Sequence, residues 1–152
     1  MAVAVDSLTQ MERERAVELV EAARVARLAT VTADQRVDLV PITYAVDDGR
    51  IVTAIDHKPK STARLKRLDN IRGNPEVSLL LDEYDDADWS QLWWVRLRGV
   101  AHIVEQGELY ERSIKALVAK YPQYQTVTPT GPVIVIEVIR WQWWSGEGIA
   151  DG

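Results

Sequence analysis

The chain has 152 residues, a formal net charge of -5 and no cysteine. That length suits one domain, spanning 1–152 and burying roughly 68 to 70% of its unfolded surface, and the missing cysteines exclude disulfides, thiolate nucleophiles and Cys-ligated zinc or iron–sulfur centres. The acidic balance argues against broad nucleic-acid binding. No apolar run approaches the ~20 residues that span a bilayer, and Met1 to Asp6 lack the basic and apolar segments of an export signal, so a cytoplasmic protein with neither nucleic acid nor membrane as partner is expected.

Thr9-Gln10-Met11-Glu12 has the spacing of a capping box, and Ala16, Val17, Val20 and Ala23 recur at helical intervals, which predicts an amphipathic helix over about 9–23. Val25 to Thr32 and Val37 to Val46 then read as strands joined at Ala33-Asp34-Gln35-Arg36, with Asp47-Asp48-Gly49 turning the chain into a third, Arg50 to Ile55. Pro41 cannot donate to a ladder, so its strand belongs at an edge, a bulge or a ligand-facing gap. A helix with Leu65, Leu68 and Ile71 on one face follows, stopped by Gly73-Asn74-Pro75 before the strand Val77 to Leu81. Leu92 to Val104 is a long strand in which Gly99 marks a bend or bulge. Glu108 to Lys120 has helical spacing at Leu109, Ile114, Leu117 and Val118, and Pro132 to Trp144 is the last strand. Six strands, short helices and sequential hairpins without βαβ alternation predict a mainly β fold, an antiparallel barrel over about 25–144 with a short C-terminal tail.

The main functional signal is the basic run His57 to Arg67, which places six basic or potentially basic side chains in eleven residues of an acidic chain. It follows a strand and opens a helix that Ser61 or Thr62 can cap. Free N–H groups, the positive end of the helix dipole and Lys58, Lys60 and Arg64 then converge at one point, which suits a phosphate. A solvated basic helix is the ordinary reading of such a cluster; the order of strand, capping hydroxyl and helix favours an anion site, although the Gly-rich cradle of a P-loop is missing.

All six tryptophans lie beyond Asp88, and there is no phenylalanine. In Trp93 to Arg98, alternation puts Trp93, Val95 and Leu97 on one face and Trp94, Arg96 and Arg98 on the other, so one face can enter the core while the other can meet a planar anionic cofactor or a second subunit. Trp141-Gln142-Trp143-Trp144 likewise carries aromatics on both faces, for which packing at the barrel end is the simple explanation. The acidic run Asp82 to Asp88 fails as an EF-hand, since Gln91 stands where the turn glycine belongs and Leu97 where the glutamate belongs. It reads as a solvated loop, and no metal is expected. His57 and His102 lack metal-binding spacing and a nucleophile partner, and no catalytic residue is assigned; His57 can join the anion site.

Several stretches resemble the pyridoxamine-phosphate-oxidase-like, flavin- or deazaflavin-binding split-barrel superfamily. Arg27-Leu28-Ala29-Thr30-Val31 and Val37-Asp38-Leu39-Val40-Pro41-Ile42-Thr43-Tyr44 are similar to its first hairpin, Lys58-Pro59-Lys60-Ser61 through Leu65-Lys66-Arg67-Leu68 to its phosphate-binding turn and helix, and Asn74-Pro75-Glu76-Val77-Ser78-Leu79 to the following strand entry. Tyr84-Asp85-Asp86, Trp89, Leu92-Trp93-Trp94-Val95-Arg96 and Gly99 resemble an actinobacterial-type branch assigned as deazaflavin-dependent oxidoreductases. The resemblance implies a six-stranded antiparallel split barrel of Greek-key type. It implies a homodimer with cofactor sites at the interface, and coenzyme F-420 (8-hydroxy-5-deazaflavin) as cofactor, with FMN as the alternative. Reduced cofactor would pass a hydride to an electron-poor small organic substrate; a carrier without turnover is the non-catalytic alternative.

By position, the resemblance implies that Val40, Pro41, Ile42 and Thr43 line the ring, that Thr53, Ala54, Ile55 and Asp56 border it, and that Lys58, Lys60, Ser61 and Arg64 hold the phosphate. Trp94 and Arg96 are further contributors, from the opposite subunit. The family's Arg-Leu-x-Pro substrate motif is absent, with Trp144-Ser145-Gly146-Glu147 in its place, which argues against vitamin B6 oxidation.

Overall fold

The computed structural model describes residues 3–4, 9–55 and 62–147. In chain order the elements are β1 (Val3–Ala4), α1 (Gln10–Ala22), β2 (Ala26–Val31), β3 (Val37–Ile42), β4 (Ala45–Asp47), β5 (Arg50–Ala54), α2 (Thr62–Gly73), β6 (Glu76–Glu83), β7 (Trp93–Val104), α3 (Glu108–Lys120), α4 (Pro122–Thr126) and β8 (Val133–Ser145). The strands form one antiparallel sheet in the order β3-β2-β6-β7-β8-β5-β4, with β1 added beside β8. The two ends of that path, β3 and β4, are neighbours in sequence, so the sheet curls into a barrel left split between them.

Local chemistry explains most boundaries. Thr9 and Glu12 close the capping box of α1, with Glu12 N–H donating to Thr9 Oγ1 at 3.1 Å and Thr9 N–H to Glu12 Oε2 at 2.8 Å. Asp48 and Gly49 both have positive φ, 50° and 75°, between the paired residues Asp47 and Arg50. This two-residue turn matches the right-handed twist of the strands it joins. Pro41 sits on β3, an edge of the sheet path, where its missing N–H costs no ladder bond.

Among the described residues eight strands form where the sequence predicts six. One addition is the two-residue β1. The other arises because the stretch Val37 to Val46 divides at Thr43-Tyr44, whose backbone leaves the ladder and is satisfied by side chains. Tyr44 N–H donates to the Tyr121 hydroxyl at 3.1 Å, that hydroxyl lies 2.9 Å from Tyr44 O, and Thr53 Oγ1 donates to Thr43 O at 2.7 Å.

The main core fills the barrel with Leu28, Ile42, Ile51, Leu79, Leu81, Val95, Leu97, Ile134 and Ile136, and it is closed by Ala16 and Val20 of α1 and by Leu68 and Ile71 of α2. A second cluster lies on the outside, where Leu117 and Tyr121 cover Ala45, Val52, Ala54, Val133 and Val135. β8 changes parity along its length. Ile134, Ile136 and Val138 pack against the main core; the register with β7 then slips between Arg98 and Gly99, and from there Trp141 and Trp143 turn inward instead. Ile139 is the extra residue of this bulge and is 71% exposed.

Gly99 is required by this close approach: a Cβ there would stand 2.4 Å from Glu137 O and 2.8 Å from Ile136 Cγ2. Gly99→Ala should therefore destabilise the fold by about 1 to 3 kcal/mol, the usual cost of overpacking, seen as a lower urea midpoint with an unchanged slope.

Candidate functional site

Helices α3 and α4 shield the outer side of β4, β5 and the first half of β8. Among the described residues, no helix covers the outer side of β3, β2, β6, β7 and the second half of β8. The strand registers align Pro41, Arg27, Leu80, Arg96 and Gln142 in one row across these five strands, and Leu39, Ala29, Ser78, Arg98 and Arg140 in the next. Large apolar side chains stand in water on this face, Val37 at 67% and Leu39 at 66% exposure, among four arginines. Exposed apolar surface interleaved with guanidinium groups is the composition of a recognition surface.

Two cavities flank the arginine row. One, of about 310 Å³, is walled by Leu80, Leu92, Trp93, Trp94, Arg96 and Trp144, with Asp82, Glu83 and Tyr84 at its border. There Gln142 Oε1 accepts from Arg96 Nε at 2.8 Å and from Arg96 Nη2, and the guanidinium lies 5.7 Å from the Trp94 ring. Asp82 is paired with Arg27 at 3.4 Å. The other cavity, of about 540 Å³, runs between Val37 and Ile139 and includes Arg98 and Arg140.

A third cavity, of about 200 Å³, opens where the edge strand β3 meets α2; it is lined by Thr30, Asp38, Leu39, Val40, Lys66 and Arg67. The buried Asn70 organises it, donating to Thr30 Oγ1 at 3.1 Å and to Asp38 Oδ2 at 2.8 Å. Lys66 Nζ lies 3.8 Å from the same carboxylate.

The residues expected at the site are distributed as follows. Pro41 is exposed on the outer face, whereas Val40 and Ile42 turn inward against the main core. Thr43 Oγ1 is hydrogen-bonded to the Tyr124 hydroxyl at 2.6 Å. Thr53, Ala54 and Ile55 are buried by their own chain, Ala54 under α3 and Ile55 in the barrel. Trp94 and Arg96 stand together on the outer face, on the side opposite Val95 and Leu97, as alternation predicts. Asp56, His57, Lys58, Lys60 and Ser61 lie outside the described residues; Arg64 is placed only as part of the first turn of α2.

Sequence reasoning gave no site role to Arg27, Asp38, Leu80 or Trp144, and took in Lys66 and Arg67 only as part of the basic run His57 to Arg67. Strand alternation carried across the hairpin registers was the signal for Arg27, Leu80 and Trp144; the meeting of β3 with α2 had no local signal.

An uncovered, arginine-bearing sheet face with cavities at its margins is the distinctive surface of this split barrel. The chain belongs to the pyridoxamine 5'-phosphate oxidase family, whose model matches residues 13–145. It is similar to the conserved hypothetical protein Rv2991 of Mycobacterium tuberculosis, with 27% identity and a TM-score of 0.73 over 96% of this chain and 91% of the other. A FAD-binding protein of Mesorhizobium loti shares the fold at 18% identity and a TM-score of 0.66, over 95% and 99% of the two chains. A heme binding protein of Mycobacterium smegmatis shares it at 21% identity and a TM-score of 0.71, over 89% of this chain and 54% of that one, so this chain spans about half its length. No curated protein sequence matches the chain. No helix among the described residues is long and apolar enough to cross a membrane.

The strongest perturbations of titration lie away from the open face, at the junction of α1 and α3. Lys120 Nζ donates to Ala23 O at 2.6 Å and sits 4.0 Å from the Tyr44 ring. Burial, reinforced by the Arg24 charge, lowers its pKa from 10.5 to about 8. Burial pushes Tyr44 and Tyr121 upward, and Tyr44 donates to Val20 O.

Between pH 8 and the usual lysine value the unfolded chain holds the Lys120 proton more tightly than the native chain, so stability rises with pH. Above pH 10 the native tyrosines keep protons that the unfolded chain releases, so stability falls. Urea midpoints should climb from about pH 8 towards 10 and then drop; Lys120→Met should flatten the climb, and Tyr44→Phe should lessen the drop.

Proposed function

We infer that the protein is a cytoplasmic homodimeric oxidoreductase in which reduced 8-hydroxy-5-deazaflavin, coenzyme F-420, serves an electron-poor small organic substrate. The observation that carries this reading is the small cationic cavity between β3 and α2 at the margin of an uncovered sheet face. An ammonium and a guanidinium, Lys66 and Arg67, stand beside the apolar Val40 and Leu39 against one carboxylate, Asp38, which Lys66 approaches at 3.8 Å, a balance of charge that suits the anionic end of a flavin-type cofactor and its linker. At about 200 Å³ the cavity is smaller than the roughly 300 to 1,000 Å³ of sites that enclose a small molecule. A tricyclic ring must therefore rest against the open face and be completed by a second chain.

In this arrangement Lys58, Lys60, Ser61 and Arg64 join Lys66 and Arg67 in holding the phosphate. Pro41, with Val40, Ile42 and Thr43, forms the ring's edge. Thr53, Ala54 and Ile55 are committed to the protein's interior and support this edge from behind, Thr53 through its bond to Thr43 O; Asp56 continues the same border. Trp94 and Arg96 approach from the partner chain and face the ring across the space left for the acceptor. When bound in reduced form the cofactor supplies a hydride, and the acceptor's balancing proton comes from solvent. The chain's own task is to position the two reactants and exclude water, which needs no protein nucleophile.

FMN in the same place is the second reading, favoured by the likeness to a FAD-binding protein. A carrier without turnover is distinguished by the absence of hydride transfer.

Light scattering of cofactor-loaded protein should give twice the chain mass; a single chain per particle would remove the interfacial site. Titrations should show deazaflavin binding more tightly than FMN, and the reverse order would replace the cofactor. Lys60→Ala should weaken deazaflavin binding by about 1.5 to 3 kcal/mol, the worth of a hydrogen bond to a charged group, with little change in stability. His57→Gln and His102→Gln should each retain turnover.

A further inference from the structure

We propose that the tryptophan-walled cavity at one end of the open face is the acceptor subsite, and that it takes a planar, electron-poor aromatic acid with its ring against the indoles and its carboxylate on Arg96. The proposal rests on the oxidoreductase reading above and adds the chemical class of its substrate.

The cavity has the volume of a small-molecule site, about 310 Å³, within the roughly 300 to 1,000 Å³ range of ligand pockets. Its lining includes Leu80, Leu92, Trp94 and Trp144, with Trp93, whose side chain turns to the core, between them in the strand. Register sets Trp94 and Trp144 on the same face, because they are direct partners on β7 and β8. Indole faces are electron-rich, so they stack best on a flat ring depleted of electrons. An aliphatic or bulky acceptor would use the apolar area but not the quadrupole.

Arg96 supplies the polar end. Its Nε and Nη2 both donate to Gln142 Oε1, a neutral acceptor, and its plane lies by the Trp94 ring. The guanidinium is thus oriented without being neutralised. Neither carboxylate at the border is bonded to Arg96: Asp82 is paired with Arg27, and Glu83, which borders both this cavity and the one beneath Trp93, follows Leu79 and Leu81 in the inward alternation of β6. Among the described residues Arg96 Nη1 has no acceptor, and a carboxylate of the ligand would provide one. Such a charge-assisted bond in a half-buried site selects an acid over its neutral analogue.

The test uses cofactor-free protein labelled at its six tryptophan indoles, with 4-nitrobenzoate as the probe and 4-nitrobenzamide as its neutral counterpart, followed by nitrogen–proton spectra. The acid should move the Trp94 and Trp144 signals and leave Trp141 in place, and the amide should bind more weakly. Arg96→Gln should weaken the acid by about tenfold or more, as loss of a charged hydrogen-bond donor does, without changing the amide. Arg96→Lys should restore part of the preference, and Trp144→Leu should weaken both probes. Equal binding of acid and amide, equal loss of both on Arg96→Gln, or shifts confined to Trp141 and Trp143 would overturn the proposal. Competitive displacement of the acid by deazaflavin or FMN would also overturn it, since the cavity would then belong to the cofactor. Because binding is read without cofactor, failure of the deazaflavin assignment leaves this result intact, and the two are separable.

Discussion

The curled sheet depends on how two residues, Thr43 and Tyr44, are held after they leave the ladder. A buried backbone group without a partner costs as much as a lost hydrogen bond, and here the partners come from side chains far away in sequence. The Tyr121 hydroxyl serves Tyr44 and lies 2.8 Å from Arg24 O, while the Tyr44 hydroxyl reaches Val20 O. Two tyrosines therefore tie the split of the barrel to the end of α1 and the end of α3. Their aromatic bodies fill space while their hydroxyls satisfy backbone, a division of labour that phenylalanine cannot perform.

That same clasp decides where the molecule remains open. With α3 anchored over β4 and β5, no helix among the described residues covers the outer side of the opposite half. β8 belongs to both halves, its first part under α3 and its second on the bare face. The arginines and tryptophans of β7 and β8 are thus presented on a strand ladder rather than on loops, which favours precise placement of a flat ligand. The proposed interfacial cofactor needs such a surface, because its tricyclic ring exceeds what the small cavity between β3 and α2 can enclose.

The elements most legible in the sequence were those whose signals are local. The Thr9 to Glu12 capping box, the Asp48-Gly49 turn and the apolar spacing of Glu108 to Lys120 each describe a structure made by neighbours in the chain, and α3 has those bounds. Alternation separated Trp93 from Trp94 correctly for the same reason. The division of β3 from β4 was not legible, because it is imposed by Tyr121, 77 residues beyond Tyr44. Within the candidate site, Trp94 and Arg96 were recognised from alternation, but Arg27 and Leu80 gain meaning only when registers place them in one row. The ring-lining set inferred from resemblance, Val40 to Thr43 and Thr53 to Ile55, follows consecutive positions, whereas strand geometry sends every second side chain to the other face.

The bulge at Ile139 has an evolutionary reading. Without it, unbroken alternation from Ile134 would carry Arg140, Gln142 and Trp144 into the barrel and turn Trp141 and Trp143 outward. A single codon lost or gained at this point would exchange an apolar lining for a charged one without any substitution. The sequence beyond the bulge is accordingly tuned to its phase, so that a change of length here alters the barrel lining where the same change in a loop would not.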